Sequence, residues 1–280
     1  MTVAIVTDSS ACLNPADAEH DGITVVPLKV TVGEQTYLEG DGLTGAFVAE
    51  CLQNKEQITT SRPTPEDFVE IYERLAAEGA DEIVSVHLSA KISGTLDSAQ
   101  LAAKRVSIPV IVVDSTTVGL AVGFAAGRAA RARDAGGAAS SISAAARAAG
   151  EASTTLMYVD TLEYLRRGGR VTALGAVIGG ALAVKPILAM SNGEAKVIEK
   201  VRTSARALKR LEALALAACE AAENGVDIGV QHLAASETAA QVASQLAEAL
   251  GRDTVPVDEI SVVLGAHSGP GTVLVAVTPR

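Results

Sequence analysis

The fold is decided by residues 82–95, which read Glu-Ile-Val-Ser-Val-His-Leu-Ser-Ala-Lys-Ile-Ser-Gly-Thr. The stretch starts with a run that has the length and apolar character of a buried strand, and a helix is predicted to begin near Thr95. A short loop before a helix N-terminus leaves backbone N–H groups without partners, which favours a bound anion. Ser93 adds a hydroxyl, Gly94 leaves room for a ligand near the backbone, and Lys91 adds positive charge. Capping of the helix by Ser93 or Thr95 explains the same pattern equally well.

The alternation of strand and helix continues through residues 1–153. Apolar runs of strand length at Val3–Val6, Glu82–Leu88 and Val110–Val113 are separated by segments with helical spacing. Continuous apolar strands joined by helices are typical of a parallel sheet that is covered by helices on both faces. We therefore expect an α/β fold whose N-terminal domain, residues 1–153, contains a parallel sheet.

Small polar clusters follow each of these strands. The clusters are Asp8-Ser9-Ser10, Ser89–Ser93 and Asp114-Ser115. In open parallel sheets, ligands bind at the carboxyl ends of the strands. This placement favours the anion site over a simple helix cap.

The other elements of the first domain are predicted from helical spacing and from turn residues. Helices are expected at Glu66–Ala77, Thr95–Val106, Val118–Arg133 and Ser141–Ala149. Residues 23–38 read as an edge hairpin, because Pro27 interrupts a β-branched run and Gly33 provides a turn.

A second α/β domain with a mixed sheet is expected over residues 154–280. Its predicted strands are Leu156–Val159, Val184–Met190, Glu194–Val201, Val226–His232, Val257–Leu264 and Thr272–Val277, and its helices are Thr161–Arg167, Ser204–Ala222 and Glu237–Leu250. The turn signal Ser191-Asn192-Gly193 predicts an antiparallel hairpin. Pro186 suggests that the strand containing it lies at an edge.

Composition excludes several classes of function. The formal net charge is −10, which argues against sequence-independent binding of nucleic acid. The 3 cysteines are widely spaced, so neither a disulfide framework nor a structural zinc site is indicated, and we expect no metal or other cofactor. The chain starts directly with a strand pattern and not with a signal peptide. Its longest uncharged apolar run, Val171–Val184, is too short and Gly-rich to span a bilayer, so we expect a cytoplasmic protein without stable membrane insertion.

Polar side chains on separate rigid loops provide a candidate binding site. His267 lies in a Gly/Pro-rich segment between two predicted strands, where we expect it to be exposed and easily oriented. Thr60 and Ser61 precede a stiff Pro-Thr-Pro turn, although they too are explained by capping of the next helix. Together with Ser93 these groups suit a small anionic head group such as a carboxylate, and each hydrogen bond to a charged group is worth roughly 1.5–3 kcal/mol.

Several short motifs, in this order and at this spacing, carry a resemblance to a known family. They are Thr7-Asp8-Ser9-Ser10, Thr60-Ser61-Arg62-Pro63, Leu88-Ser89 with Ser93-Gly94-Thr95, Asp114-Ser115, Leu165 with Gly168-Gly169-Arg170-Val171, Lys185-Pro186-Ile187-Leu188, Arg202, and His267-Ser268-Gly269-Pro270-Gly271. Along nearly its whole length the chain resembles the DegV family of fatty-acid-binding proteins. Each motif alone is weak, and the set is specific.

The resemblance implies two α/β domains with a single long-chain fatty acid buried between them. It implies that the carboxylate is held at the positions of Thr60, Ser93 and His267, with Ser61, Gly94 and Gly269 as supporting residues. Two positions depart from the family pattern, because Arg62 stands where a neutral amide is usual and the loop around Lys91 contains less Ser and Gly than usual.

The resemblance also implies a partner protein. Members of the family present the fatty acid to a separate ATP-dependent fatty acid kinase and then carry the acyl phosphate. Consistent with that division of labour, the sequence contains no GxxxxGK[ST] phosphate-binding motif. Arg170 and Arg202 lie in the neighbourhood that the family uses to dock the kinase, although surface arginines are more often simply solvated.

A buried acyl chain is physically reasonable for this composition. Each methylene removed from water is worth about 0.8 kcal/mol, so a chain of about sixteen carbons offers on the order of 12 kcal/mol before association costs. The small apolar stretches Val171–Val184 and Val118–Phe124 are candidate walls for such a chain, and ordinary helix packing explains them equally well.

Two other functions compete with lipid binding. A serine acyl hydrolase would use Ser93 as nucleophile, His267 as base and Asp8 or Asp114 to orient the base, but no GxSxG motif is present. A phosphotransferase subunit in which a histidine binds a carbonyl substrate, on a fold like that of dihydroxyacetone kinase, rests on analogy of fold alone.

Overall fold

The computed structural model describes residues 1–171 and 184–280. The strands of these residues are, in chain order, β1 (Val3–Asp8), β2 (Ile23–Val26), β3 (Lys29–Val32), β4 (Gln35–Leu38), β5 (Ile58–Ser61), β6 (Glu82–His87), β7 (Val110–Asp114), β8 (Thr154–Tyr158), β9 (Lys185–Ser191), β10 (Glu194–Val201), β11 (Val226–Leu233), β12 (Val257–Glu259) and β13 (Thr272–Pro279). The α-helices are α1 (Pro15–His20), α2 (Gly45–Gln53), α3 (Pro65–Ala77), α4 (Thr95–Ala103), α5 (Leu120–Asp134), α6 (Ala139–Ala152), α7 (Glu163–Arg167), α8 (Ser204–Glu220), α9 (Ser236–Leu250) and α10 (Val262–Ser268).

The N-terminal part contains the expected parallel sheet, with strand order β2-β1-β6-β7. Alternate residues of β1 face opposite sides, as the strand geometry requires. Ile5 packs with the alanines of α5 and α6 on one face, whereas Val6 packs with Phe68 and Tyr72 of α3 on the other. Helices therefore cover both faces of the sheet, as the sequence predicts.

The C-terminal part contains a mixed sheet with strand order β10-β9-β8-β13-β11-β12. The pairing of β11 with β12 is parallel and the other pairings are antiparallel. Helices α8 and α9 cover one face through an apolar cluster that includes Leu211 and Leu246. The prediction of a mixed α/β arrangement is confirmed.

Helix α5 packs against both sheets. Its residues Ala125 and Ala129 face the parallel sheet, and Leu120 and Ala121 pack with Leu274 of β13. Residues 120–130 of α5 are small or apolar apart from Arg128, and small side chains let both sheets approach the helix closely. This explains how a chain with 2% aromatic residues builds a dense core.

A small antiparallel sheet with strand order β4-β3-β5 carries Thr60 and Ser61. The expectation of a loop at these two residues is wrong, because they end β5, where Thr60 pairs with Val30. The next residues do form the rigid entry to α3. Thr64 caps this helix by accepting a hydrogen bond from Asp67 N at 3.2 Å, and the Asp67 carboxylate accepts one from Thr64 N at 2.8 Å.

Two predictions of strand position are wrong. One concerns the hairpin expected for residues 23–38, and the other concerns the edge strand expected at Pro186. Residues 23–38 do not form one hairpin, because β2 joins the edge of the parallel sheet and only β3 and β4 pair as a hairpin. Strand β9 is not an edge strand but lies between β10 and β8. Pairing with β8 begins at Ile187, so the missing N–H of Pro186 removes no hydrogen bond on that side.

The strand predicted over Val257–Leu264 is correct at its start and wrong at its end. Strand β12 ends at Glu259, and α10 begins at Val262 after Ser261, whose hydroxyl accepts a hydrogen bond from Leu264 N at 3.4 Å. A short apolar run cannot be assigned to strand or helix by periodicity alone. The cap at Ser261 is the local signal that decides it.

The two parts of the chain are joined by buried hydrogen bonds. Thr117 Oγ1 and Thr155 Oγ1 lie 2.7 Å apart, Leu120 N donates to Gln231 Oε1 at 2.9 Å, and Ser89 Oγ donates to Gly193 O at 2.7 Å. The boundary expected between residues 153 and 154 stays a prediction. No helix among residues 1–171 and 184–280 has both the length and the apolar character needed to cross a bilayer.

A buried polar network holds β1 and β6 together at their carboxyl ends. The Asp8 carboxylate bonds His87 Nδ1 at 2.8 Å and accepts hydrogen bonds from Leu88 N at 3.2 Å and Ser10 N at 3.1 Å. His87 Nε2 lies 2.7 Å from Ser85 Oγ. Asp8, His87 and Ser85 are completely buried, so His87 is a histidine of the core.

Replacing Asp8 by Asn is expected to destabilise the protein by about 3 kcal/mol or more. The amide keeps the size of the side chain but turns an NH2 group towards buried donors that need an acceptor. Urea unfolding of the variant measures the loss, and Asp134→Asn, at an exposed carboxylate, is the matched control. A loss below about 1 kcal/mol for Asp8→Asn would contradict this account of the network.

Candidate functional site

A cavity of about 370 Å³ lies between residues from the two parts of the chain. One wall of the cavity is formed by β5, the loop after β6 and the loop before α5. The opposite wall is formed by β8, α7, β9, β10 and α10. The polar or charged residues lining it are Thr60, Ser61, Arg62, Ser93, Arg170, His267 and Ser268. The apolar ones are Leu28, Leu88, Ile92, Val118, Met157, Leu165, Met190, Ala195, Val263 and Leu264. A site of this size, mostly apolar with a few polar groups, is typical of a pocket for a small molecule.

Thr60 and His267 form the central polar pair of the cavity. Their Oγ1 and Nε2 atoms share a hydrogen bond of 2.7 Å between residues that are 207 positions apart in the sequence. Thr60 is held by the register of β5, and His267 lies in the last turn of α10. The expectation that His267 is exposed in a loop is therefore wrong, because it belongs to a helix and faces the cavity from a half-buried position.

Gly168 lets the main chain approach the other side of the imidazole ring. A Cβ atom at this position would lie 2.2 Å from His267 Nδ1, a distance that non-bonded atoms do not tolerate. Gly269 plays a similar part next to the ring of Tyr164, where an added Cβ would lie 2.1 Å from the ring carbon Cδ2, and its φ of +83° also favours glycine. The function of Gly168 is missed by the sequence reasoning, although Gly168 belongs to one of the motifs that carry the resemblance.

The imidazole of His267 is neutral at physiological pH. Burial, together with the smaller effect of the positive charge of Arg170, lowers the pKa of His267 from an ordinary 6.5 to about 4. A neutral ring has one N–H donor and one acceptor nitrogen, so it takes part in hydrogen bonding without adding charge to the cavity.

Ser93 lies on the same cavity at the start of α4. Its Oγ atom is 2.8 Å from Thr95 Oγ1 and accepts a hydrogen bond from Thr95 N at 3.2 Å. This is a local bond and not a helix cap, because the N-cap of α4 is Gly94 and no side chain caps its N-terminus. The interpretation of Ser93 or Thr95 as the cap is therefore wrong, whereas Ser93 does line the cavity.

Arg62 occupies the space that Gly94 leaves open. Its Nη1 atom donates to Gly94 O at 3.0 Å and lies 3.6 Å from the Asp97 carboxylate. A Cβ at Gly94 would lie 1.8 Å from Arg62 Nη1, so the glycine accommodates the guanidinium of Arg62. Gly94 also lines the cavity, so the expectation that it leaves room for a ligand stays a prediction. Ser61 is exposed and lines the same mouth of the cavity.

Ser268 is a polar residue of the cavity that the sequence reasoning does not single out. It is 2% exposed, and its hydroxyl has no hydrogen-bond partner among the described residues. Buried hydroxyls are nearly always paired, so an unpaired one that lines a cavity indicates a ligand or solvent partner. The signal in the sequence is its position directly after His267 in the Gly/Pro-rich motif.

The apolar walls are continuous with the surrounding core. Leu88 and Val118 form one cluster with Ile92, Met190 and Leu264. Of the candidate wall Val118–Phe124, only Val118 lines the cavity among the described residues. The other candidate wall, Val171–Val184, falls almost entirely on residues 172–183, which lie outside the described residues.

The basic residues named by the resemblance take different positions. Arg170 is half-buried and lines the cavity. Arg202 is exposed in the turn between β10 and α8 and does not line the cavity. Lys91 is absent from the described lining as well, and its aliphatic carbons lie beside Gly193 in the β9–β10 turn.

The geometry does not support a hydrolytic triad. The Ser93 hydroxyl bonds Thr95, and the imidazole of His267 bonds Thr60. Asp8 bonds His87 in the buried network, whereas Asp114 accepts hydrogen bonds from Thr116 N at 2.8 Å and Ala90 N at 3.4 Å. A triad needs its three groups in one hydrogen-bonded chain. No group of three or more metal-ligating side chains is found in residues 1–171 and 184–280.

Comparison with known proteins gives one consistent result. The model of the family described as "Uncharacterised protein, DegV family" matches residues 2–280. A DegV domain-containing protein of Streptomyces coelicolor is 46% identical over 284 residues, covering 99% of both chains.

Solved structures agree with this result. A DegV family protein from Thermus thermophilus, whose structure is described as fatty acid binding, superposes with a TM-score of 0.92 at 29% identity and covers all of both chains. DegV from Bacillus subtilis, described as a fatty acid binding protein, gives a TM-score of 0.89 at 32% identity with the same coverage.

The low pKa of His267 has a consequence for stability. Between pH 6.5 and about 4 the unfolded chain binds a proton at His267 that the folded chain does not bind. Stability of the ligand-free protein is therefore lost as the pH falls through this window, by up to about 3 kcal/mol, since one pH unit of separation is worth about 1.4 kcal/mol.

His267→Gln keeps a polar side chain beside Thr60 but cannot be protonated, so we expect it to lose less stability than the wild type between pH 7 and pH 4. Thermal or urea unfolding at each pH measures the difference. His20→Gln, at an exposed histidine, is the control and should follow the wild-type curve. Identical pH dependence of His267→Gln and the wild type would refute this assignment.

Proposed function

Because the chain belongs to the DegV family, we propose that it binds one long-chain fatty acid in the cavity between residues 1–153 and 154–280. The carboxylate lies at Thr60, Ser93 and His267, and the acyl chain lies along the apolar walls. The protein is a carrier without catalytic activity of its own, and it presents the carboxylate to a separate ATP-dependent kinase.

The observation that carries this proposal is the composition of a single cavity. Thr60, Ser93 and His267, which come from three distant segments, line the same cavity as ten apolar side chains. Fatty acid binding by the relatives from Thermus thermophilus and Bacillus subtilis, named above for those proteins, supports the same ligand class here. Ser61 lies at the mouth of the cavity, and Gly94 and Gly269 let Arg62 and Tyr164 pack closely around it.

The head group needs hydrogen-bond donors because it carries a charge. When the His267 Nε2–H donates to Thr60 Oγ1, the Thr60 hydroxyl proton is free to donate to the carboxylate. Ser93 supplies a second hydroxyl, and the unpaired hydroxyl of Ser268 is a further donor. Arg62 and Arg170 add positive charge on the lining, which favours the ionised acid.

The acyl chain supplies most of the gross binding free energy. At about 0.8 kcal/mol for each buried methylene, a sixteen-carbon chain gives on the order of 12 kcal/mol, part of which is lost to ordering and association. The cost of burying a carboxylate without hydrogen-bond partners would cancel the binding free energy that remains. The polar pair and the apolar walls are therefore needed together.

Transfer to a kinase is the second part of the proposal. The described cavity has no phosphate-binding Gly-rich loop, so the kinase supplies the site for ATP. A carboxylate oxygen takes up the γ-phosphoryl group of ATP, ADP leaves, and this chain then carries the acyl phosphate. Arg202 is exposed and makes no hydrogen bond or ion pair with the described residues, which suits a docking residue. Arg170 belongs to the cavity itself and acts there on the head group.

The head-group assignment predicts that Ser93→Ala and His267→Ala each weaken binding of hexadecanoate by about ten- to hundred-fold. Ser93→Ala removes a hydrogen bond to the charged group, and His267→Ala removes the imidazole that orients the Thr60 hydroxyl towards it. Titration calorimetry on delipidated protein measures the affinity, and native mass spectrometry of protein purified from cells measures the retained acid. Ser140→Ala and His20→Ala, at exposed positions, are the matched controls.

Unchanged affinity in both cavity variants would remove the head-group assignment. A wild-type protein that is purified without lipid and hydrolyses esters, with an activity that Ser93→Ala abolishes, would favour the acyl hydrolase instead.

The docking assignment predicts a different outcome for Arg202→Ala. Affinity for hexadecanoate should stay at the wild-type value, while acyl-phosphate formation with the kinase should slow, because only the contact between the proteins is lost. The initial rate at limiting concentrations of this protein is the measurement, with Arg147→Ala, an exposed arginine of α6, as control. A wild-type rate would make Arg202 an ordinary surface charge.

A further inference from the structure

A cleft of about 530 Å³ lies between α5, the start of β11 and the end of β13. Its lining consists of Arg128, Arg131, Ala132, Asp227 and Arg280, and we call it the arginine cleft. Arg128 and Arg131 are three positions apart in α5, so their side chains lie on the same face of that helix. Three arginines from two distant segments of the chain therefore meet at one concave surface.

The arginine cleft is separate from the cavity that contains Thr60 and His267. Among the described residues, the two linings have none in common. Asp227 pairs with residue 278 of β13, whereas Met157, which lines the cavity, pairs with residue 274 of the same strand. At about 3.4 Å for each residue, the two places are roughly 14 Å apart along the strand. A small ligand in the arginine cleft therefore leaves the cavity free.

The arginine cleft has more positive charge than its own carboxylate balances. Arg131 Nη2 donates to Asp227 Oδ2 at 3.3 Å, and Arg280 Nε donates to Asp227 Oδ1 at 2.8 Å. Arg128 Nη2 lies 3.8 Å from the same carboxylate. Three positive side chains thus share a single negative one, on a protein whose net charge is −10. Concentrated positive charge on a concave surface favours an anionic ligand.

The arginines also have more donors than their neighbours accept. Each guanidinium has five N–H donors. Besides the two bonds to Asp227, the hydrogen bonds of these side chains within residues 1–171 and 184–280 are limited to one, from Arg128 Nη2 to Pro279 O at 2.9 Å. Arg128 Nε is shielded from solvent and has no partner in the same part of the chain. Buried polar atoms are nearly always paired, so this one indicates a partner that the described residues do not provide.

Two of the three arginines can turn to a ligand at small cost. The side chains of Arg131 and Arg280 are 56% and 60% exposed, and exposed ion pairs are worth only about 0–1 kcal/mol. Arg128 is less exposed and is held against the end of β13 by its bond to Pro279. The cleft thus combines one fixed guanidinium with two adjustable ones.

We propose that the arginine cleft binds a phosphate group. A phosphate carries about 1.5–2 negative charges, which matches the two positive charges that Asp227 leaves unbalanced. A carboxylate, with one negative charge, would balance only half of that excess. Phosphate oxygens accept two parallel hydrogen bonds from a guanidinium, so three arginines can share one phosphate. A soluble phosphate and a phosphate head group at a lipid surface both offer this chemistry.

The first arm of the test uses soluble ligands. If the phosphate comes from solution, we expect the full-length wild type to bind pyrophosphate and inorganic phosphate, and Arg131→Gln/Arg280→Gln to weaken both by about ten-fold or more. Titration calorimetry at low ionic strength is the measurement, because salt screens exposed charges. The matched control, Lys104→Gln/Arg147→Gln, removes two positive charges at exposed positions outside the cleft and should stay within about two-fold of the wild type.

The second arm uses lipid surfaces. If the phosphate belongs to a lipid, we expect the wild type to sediment with phosphatidylcholine vesicles that contain phosphatidic acid, and not with vesicles of phosphatidylcholine alone. Arg131→Gln/Arg280→Gln should then reduce the partition onto the phosphatidic acid vesicles by about ten-fold or more, and Lys104→Gln/Arg147→Gln should leave it unchanged.

Loss of binding in Arg131→Gln/Arg280→Gln in either arm, with the control unchanged, supports the inference, and the arm identifies the source of the phosphate. The inference is overturned if the wild type binds neither the soluble phosphates nor the phosphatidic acid vesicles. It is also overturned if the cleft variant binds as the wild type does, or if the control loses as much, because net charge would then determine binding. Affinity for hexadecanoate should be unchanged in the cleft variant, so failure here leaves the proposed function standing.

Discussion

The hydrogen bond between Thr60 and His267 connects the end of a small antiparallel sheet to the last turn of a short helix 207 residues later. Three independent features have to be right for it to form. The register of β5 sets the position of Thr60, the cap at Ser261 sets the start of α10, and Gly168 leaves room for the imidazole ring. Because the partners come from opposite walls, the bond also fixes the spacing between those walls. The polar part of the cavity is therefore a product of the complete fold.

The same bond determines the charge of the site. Burial and Arg170 keep His267 neutral, so the imidazole contributes a hydrogen bond without a charge that would have to be desolvated. The positive charge comes instead from Arg62, which is exposed, and from Arg170, which is half-buried. For the proposed function, this separation means that the head group meets neutral donors as well as cations while the interior stays apolar for an acyl chain. A buried imidazolium at the same place would make the empty cavity much less stable.

The sequence predicts the architecture better than it predicts the local geometry of the site. The parallel sheet follows from apolar runs such as Val3–Val6 and Val110–Val113, because a strand buried on both faces has little freedom in composition. His267 was expected in an exposed loop because the seven residues of α10 are too few for helical periodicity to be distinguished from a strand. Gly168 lies against His267, and Gly94 lies against Arg62. These contacts join residues far apart in the sequence, so the local sequence pattern does not predict them. The motifs identify important positions, but only the structure shows which residues each of them contacts.

Binding and catalysis require different arrangements of the groups around this cavity. This difference distinguishes a fatty acid carrier from a serine acyl hydrolase. A nucleophilic serine needs a base within hydrogen-bonding distance and a third group to orient that base. The structure does build one chain of carboxylate, imidazole and hydroxyl, but it consists of Asp8, His87 and Ser85, all completely buried in the core. Such a network cannot reach a substrate, so it stabilises the carboxyl ends of β1 and β6. Two of the hydroxyls that line the cavity, those of Thr60 and Ser93, form hydrogen bonds with a neutral imidazole and a neighbouring threonine. No carboxylate of residues 1–171 and 184–280 forms a hydrogen bond with either hydroxyl. This arrangement fits the proposed carrier, in which the hydroxyls donate hydrogen bonds to an anion that stays intact.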